Sequence, residues 1–105
     1  MILKAVIEGE IYQIKVPEEV IRNGDDFYRR MNADMDRGWQ MGREWVERPD
    51  PEQRCQIAAD RLADAIHAEN ETLAGLLAGY ILDQRPGTRE VFIATDGDPM
   101  ETAFR

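Results

Sequence analysis

Between Pro51 and Leu82 the chain carries one long amphipathic pattern whose polar side is itself partly apolar, because Ile57, Ala68, Gly75, Ala78, Gly79 and Leu82 gather there. A helix that is apolar on its back as well as its front calls for a second packing partner. Its main face is formed by Cys55, Ala58, Ala59, Leu62, Ile66, Leu73, Leu77 and Tyr80. The start signal is strong: Asp50 offers an N-cap oxygen, Pro51 suits the first helical position, and Gln53 can complete a capping box. Pro86-Gly87 stops the pattern. On the back face, Gly75-x-x-x-Gly79 and its small neighbours permit close approach of another helix. The expectation is a symmetric homodimer with its interface over Ile57, Ala68, Gly75, Ala78, Gly79 and Leu82, since two-fold homodimers are the commonest assembly.

A second periodic stretch runs from Asp25 or Asp26 to about Val46, placing Phe27, Met31, Met35, Trp39, Gly42, Trp45 and Val46 on one arc. Pro49 forbids continuation. A connection this short predicts an antiparallel helix pair, with Gly38 and Gly42 as points of close backbone approach and Met41 as the reachable residue of the Met- and Trp-rich segment. Before it, residues 2–7 and 11–16 are rich in Ile, Val and Tyr around Gly9, which reads as a hairpin with one covered face. Residues 17–22, Pro-Glu-Glu-Val-Ile-Arg, read as a single helical turn with a glycine stop at Asn23-Gly24. Beyond the long helix, residues 90–95 read as a strand, residues 96–99 as a tight turn, and residues 100–104 as a closing strand. The predicted architecture is one α+β domain, residues 1–105, in the order β-β-α-α-β-β, with the helix pair on one face of a small antiparallel sheet.

The charge balance limits function. With 13 basic and 21 acidic residues the net charge is −8, and the arginines are interleaved with aspartates and glutamates, so a phosphate backbone would be repelled. No nucleic-acid partner is expected. The N-terminus lacks the long apolar region of a signal peptide, and the most apolar stretch, residues 73–82, is about half of what a membrane span needs. A cytoplasmic protein with no membrane partner follows. Cys55 is the only cysteine, which excludes an intrachain disulfide. Its position early in a helix could lower its pKa, although a free cysteine is ordinarily a packed core residue.

Two constellations carry possible chemistry. Asp60, Asp64, His67 and Glu71, spaced by four, three and four, share one helical face if the helix is continuous. Carboxylates and imidazole in that arrangement could ligate a divalent transition metal, the one cofactor the chain suggests. A charge run on a helix is, however, usually its water-facing side. The second is Glu69 with Asn70, which fall inside the main apolar arc. Pairing the two helices about residues 48–50 sets Glu69 opposite Arg30, so an interhelical Arg30–Glu69 ion pair is expected, with a helix break near Asn70 as the alternative. There is no serine in the chain, no glycine-rich phosphate loop, and no nucleophile with a spaced histidine. The expected function is a non-catalytic, protein-binding accessory or regulatory subunit. A metal-dependent enzyme using the Asp/His/Glu ridge, and a small-ligand binder near Met41 and Trp45, are the competing classes.

Overall fold

The computed structural model describes residues 1–96 and 98–105; Gly97, in the expected turn, lies outside them. The architecture is α+β, with helices on a four-stranded sheet of order β2-β1-β5-β6. Strand β1 (Ile2–Ile7) and strand β2 (Glu10–Lys15) form the predicted hairpin, paired from Ile2↔Lys15 to Ile7↔Glu10. Its two-residue loop holds Glu8 at φ 51° and Gly9 at φ 81°, the pair of left-handed residues that matches strand twist. The sheet is mixed, not antiparallel throughout. The chain leaves β2, crosses the helical layer and returns on the other side of β1 as strand β5 (Glu90–Ile93), parallel to it. Strand β6 (Ala103–Phe104) closes the sheet antiparallel to β5 after a 3-10 turn at Pro99–Glu101.

Leu3, Ala5 and Ile7 of β1 and Val91 and Ile93 of β5 are buried beneath the helices, while Ile2, Lys4, Glu90 and Phe92 alternate to the other side. Period-two alternation thus delivers one covered face. Gln56 reaches across from the helical layer and donates to the carbonyls of Met100 and Thr102 at 3.0 and 3.2 Å. The Thr102 hydroxyl in turn accepts from the Ala94 N–H at 3.0 Å, which ties the C-terminal segment to the core.

The helical layer has four members, α1 (Glu18–Asn23), α2 (Asp25–Asp36), α3 (Pro51–His67) and α4 (Glu71–Gln84). Helix α2 is shorter than its periodicity predicts. Gly38, at φ 95°, turns the chain out of the helix, and residues 39–46 become a small hairpin of β3 (Trp39–Met41) and β4 (Glu44–Val46). A Cβ at Gly38 would overlap the Trp45 ring, so glycine serves both the backbone turn and the indole lying on it. This reverses two expectations: Met41 is fully buried, and Trp45, expected in the core, is 57% exposed.

The capping box that starts α3 forms as predicted. Asp50 Oδ1 accepts from the Gln53 N–H at 2.8 Å, and Gln53 Oε1 accepts from the Asp50 N–H at 2.9 Å. The long helix does not run through to residue 85. It stops at His67 in a Schellman motif, in which the Asn70 N–H donates to the Ala65 carbonyl and the Glu69 N–H to that of Ile66. Glu69 takes the left-handed position usually given to glycine, at φ 57°. Asn70 then caps α4 by accepting from the Leu73 N–H at 3.1 Å. The helix pair of the fold is therefore α3 with α4, not a pair about residues 48–50.

Candidate functional site: an open sheet face and an edge groove

The ridge predicted for metal does not assemble. Asp60, Asp64 and His67 are exposed on α3, and the helix break carries Glu71 onto α4. Among the described residues no group of three or more His, Cys, Asp or Glu side chains is placed to hold a metal ion. The Asp60 carboxyl is raised above its usual range by partial burial and then by the neighbouring Asp64 charge, which reports crowding rather than a ligand set.

The back face of α4 is apolar for a reason internal to the protomer. Ile57, Ala78, Gly79 and Leu82 are buried in the chain's own core. A Cβ on Gly79 would stand 2.8 Å from the Tyr28 hydroxyl and 3.3 Å from a Val20 methyl, so the second partner inferred for this helix is α1 and α2 of the same chain. Only Ala68 and Gly75 keep exposure, and nothing lies within 4 Å of a Cβ built at Gly75. An interface cannot run over the four interior positions while the protomer stays folded.

Arg30 and Glu69 form no ion pair. Both are exposed, and Arg30 Nε donates instead to the Asp26 carbonyl at 3.3 Å. Among the described residues the ion pair that joins two helices is Arg54 with Asp36, at 2.6 Å. Arg54 Nη1 also donates to the carbonyl and side-chain oxygen of Asn32, at 3.3 and 3.1 Å, and its Nε to the Pro49 carbonyl at 2.9 Å. Tyr80 donates to the same Asn32 Oδ1 at 2.7 Å, so one asparagine joins α2, α3 and α4.

Cys55 is fully buried, and its thiol is pushed up to about 11, chiefly by burial; Arg85 opposes the shift and Glu52 adds to it. A neutral, enclosed thiol is not a nucleophile at neutral pH. Met41, expected to be the reachable residue of the Met- and Trp-rich segment, is sealed in the core, and the open groove beside β2 is lined by neither Met41 nor Trp45.

Two surfaces remain. On the open side of the sheet, Ile11, Val6, Phe92 and Ala103 sit in one row across all four strands, in the registers Val6↔Ile11, Val6↔Phe92 and Phe92↔Ala103. Ile11 is 64% exposed. The next row holds Gln13, Lys4, Glu90 and Arg105, with Lys15 and Ile2 beyond, and the Arg105 guanidinium lies 4.7 Å over the Phe92 ring. Both lysines of the chain are on this face, and with Arg105 they outnumber the single carboxylate of Glu90 in a chain of net charge −8. Hairpin alternation alone sets Lys4, Gln13 and Lys15 on this side; placing Phe92, Glu90 and Arg105 beside them needed the pairing of β5 with β1 and of the C-terminal strand with β5.

The second surface is an open groove of about 890 Å³ between the free edge of β2 and the α3–α4 corner. Tyr12, Ile14, Ile66 and Ala74 give it an apolar floor, and Glu69, Asn70 and Glu71 a polar rim. Tyr12 donates to Glu10 at 2.6 Å, and that hydrogen bond is the main cause of its raised pKa.

These features define a two-layer α+β domain with an uncovered sheet face and an unpaired edge. No protein-family model matches the chain, and neither a curated protein nor a solved structure shows significant similarity to it. No helix among the described residues is long and apolar enough to cross a membrane.

Proposed function

We propose that the protein is a non-catalytic, homodimeric, protein-binding subunit of the cytoplasm whose open sheet face docks an acidic, partly apolar partner. The observation that carries this reading is the row Ile11–Val6–Phe92–Ala103, beside Lys4, Lys15 and Arg105, on a face no helix covers. An apolar area rimmed by polar side chains marks a recognition patch, and a rim with three cations to the one carboxylate of Glu90 complements an acidic partner. The cationic face also opposes the acidic remainder of the chain, which favours a foreign acidic segment over a second copy stacked face to face on this sheet. The buried thiol and the dispersed Asp/His/Glu ridge supply no competing chemistry.

The test compares proteins captured from lysate by the wild type, by a Lys4→Glu/Phe92→Ser variant and by His67→Ala. A partner retained by the wild type and by His67→Ala, but lost from the sheet-face variant at unchanged helicity, supports the reading. Identical capture by all three, or metal-dependent turnover abolished in His67→Ala, defeats it.

A further inference from the structure

We infer that strand β2 is the homodimer interface, pairing antiparallel with β2 of a second copy across a two-fold axis at Gln13, and that the groove beside it receives the partner's strand side chains. This rests on the homodimeric part of the proposed function and assigns it a place.

The argument begins with hydrogen-bond parity. The Met1 amine donates to the Val16 carbonyl at 2.8 Å, and the Val16 N–H donates to the Met1 carbonyl at 2.7 Å. Met1 and Val16 are therefore a hydrogen-bonded pair, and alternation along the register from Ile2↔Lys15 to Ile7↔Glu10 makes Ile14, Tyr12 and Glu10 bonded partners of β1 as well. The N–H and C=O groups of Ile11, Gln13 and Lys15 consequently point away from the sheet. The strand is continuous, without proline or bulge across its six paired residues, and of the devices that blunt an edge it carries only the charges at its two ends, Glu10 and Lys15. The opposite edge, β6, is only two residues long.

Antiparallel pairing of two copies requires outward-facing residues to oppose outward-facing residues. Centred on Gln13, this strand meets the condition with all three: Gln13 opposes the partner's Gln13, and Ile11 opposes the partner's Lys15, for on the order of six main-chain hydrogen bonds. The intervening non-bonded pairs set Tyr12 against the partner's Ile14 and Ile14 against the partner's Tyr12, an aromatic–aliphatic pairing that stabilises antiparallel sheets. These side chains lie on the helix-facing side, where the groove floor of Tyr12, Ile14, Ile66 and Ala74 is unfilled. Charge does not oppose the pairing of the strands themselves: within β2, Glu10 and Lys15 balance, and Lys15 lines the same groove as the rim carboxylates Glu69 and Glu71, so the partner's Lys15 brings a cation towards them.

The decisive variant is Gln13→Pro. Its lost N–H faces outward, so no bond to β1 is broken, while the ring occupies the two-fold axis. The wild type is expected to sediment as a dimer at micromolar concentration, and Gln13→Pro as a folded monomer, with a dissociation constant raised about 100-fold or more. As a second readout, Gln13→Cys should form a covalent dimer under diamide, since bonded antiparallel pairs place Cα atoms about 5.5 Å apart, within disulfide range; Lys4→Cys should not. Should Gln13→Pro fail to fold, the crosslink decides. A wild-type monomer overturns both this inference and the homodimeric part of the proposed function. A wild-type dimer that keeps its affinity in Gln13→Pro, or leaves Gln13→Cys uncrosslinked, overturns only the β2 edge.

Discussion

Replacing Arg54 by Met is the perturbation that most directly probes what holds the helical layer together. The side chain is 14% exposed, against 53% for its partner Asp36, so the guanidinium is enclosed while the carboxylate is half in water. Its loss removes the Asp36 ion pair at 2.6 Å, the bonds to Asn32 and the bond to the Pro49 carbonyl at 2.9 Å. Bonds to a charged donor contribute about 1.5–3 kcal/mol each, and their sum is discounted because the half-exposed Asp36 and the loop carbonyl regain water. A net cost of about 3 kcal/mol follows, by the same scale as other disruptions of enclosed charge pairs. Asp36→Asn should cost about 1 kcal/mol or less, and Tyr80→Phe about 1 kcal/mol. For a domain this size, 3 kcal/mol lowers Tm by about 12–24 °C. Urea unfolding followed by circular dichroism measures all three, and the Arg54→Met/Tyr80→Phe double variant should be non-additive, because both side chains use Asn32 Oδ1. The reasoning fails if Arg54→Met costs no more than Asp36→Asn.

Other perturbations test separate parts of the fold. Gly79→Ala should destabilise by about 1–3 kcal/mol because its methyl would crowd the Tyr28 hydroxyl, whereas Gly75→Ala, in open space, should be neutral or stabilise by up to about 1 kcal/mol; equal effects in thermal melts would refute the packing assigned to α4. Glu69→Gly should stabilise by about 0.5–1 kcal/mol, the relief of a left-handed residue offset by unfolded-chain entropy, and a loss of stability in urea would show that the Glu69 side chain matters more than its φ. Burial raises Cys55 from 9.0 to about 11, and Tyr28 and Tyr80 from 10.0 to about 12. Because these folded values exceed the unfolded ones, the native state binds the protons more tightly, so this stability is complete below about pH 9 and is lost as pH rises towards 12. Tyrosine ionisation followed by ultraviolet absorbance should coincide with unfolding there, and buried tyrosines titrating near pH 10 in a folded chain would contradict it.

The sequence carried the signals that are local and chemical. Asp50, Pro51 and Gln53 identify the α3 start because a capping box is written in adjacent residues, and the β1–β2 hairpin is visible because alternation and a left-handed loop occupy one short span. Where the reading failed, two structures satisfy one pattern. Trp39, Trp45 and Val46 fall at helical spacing, and strands of three residues are too short to display alternation, so only the glycines at 38 and 42 marked the hairpin. The α3–α4 break was announced by Glu69 and Asn70 inside an apolar arc, but the Schellman motif and the Asn70 cap let helical spacing resume at once. The expected dimer face failed at the same step, since its apolar residues are explained by α1 and α2, whose packing on α4 no local pattern encodes. The Arg54–Asp36 pair depends likewise on how α2 lies across α3.

The break at Glu69 also shapes the candidate interface. A continuous α3–α4 helix would carry its apolar arc straight past Asn70. The turn instead places Glu69, Asn70 and Glu71 at the rim of the groove and leaves Ile66 and Ala74 on its floor beside Tyr12 and Ile14. The sheet's two ends are treated unequally: β6 is cut to two residues and tied by Gln56 and Thr102, while β2 keeps six residues with half their backbone groups turned outward. Filling the groove with strand side chains would extend the protomer core sideways without repacking it, leaving Lys4, Phe92 and Arg105 free on the perpendicular face. Ile11 and Lys15 would belong to both surfaces, their backbones pairing at the edge while their side chains face the docking side, whereas Lys4, Phe92 and Arg105 lie away from that edge. Lys4→Glu should therefore change partner capture without changing subunit count, and Gln13→Pro should change subunit count.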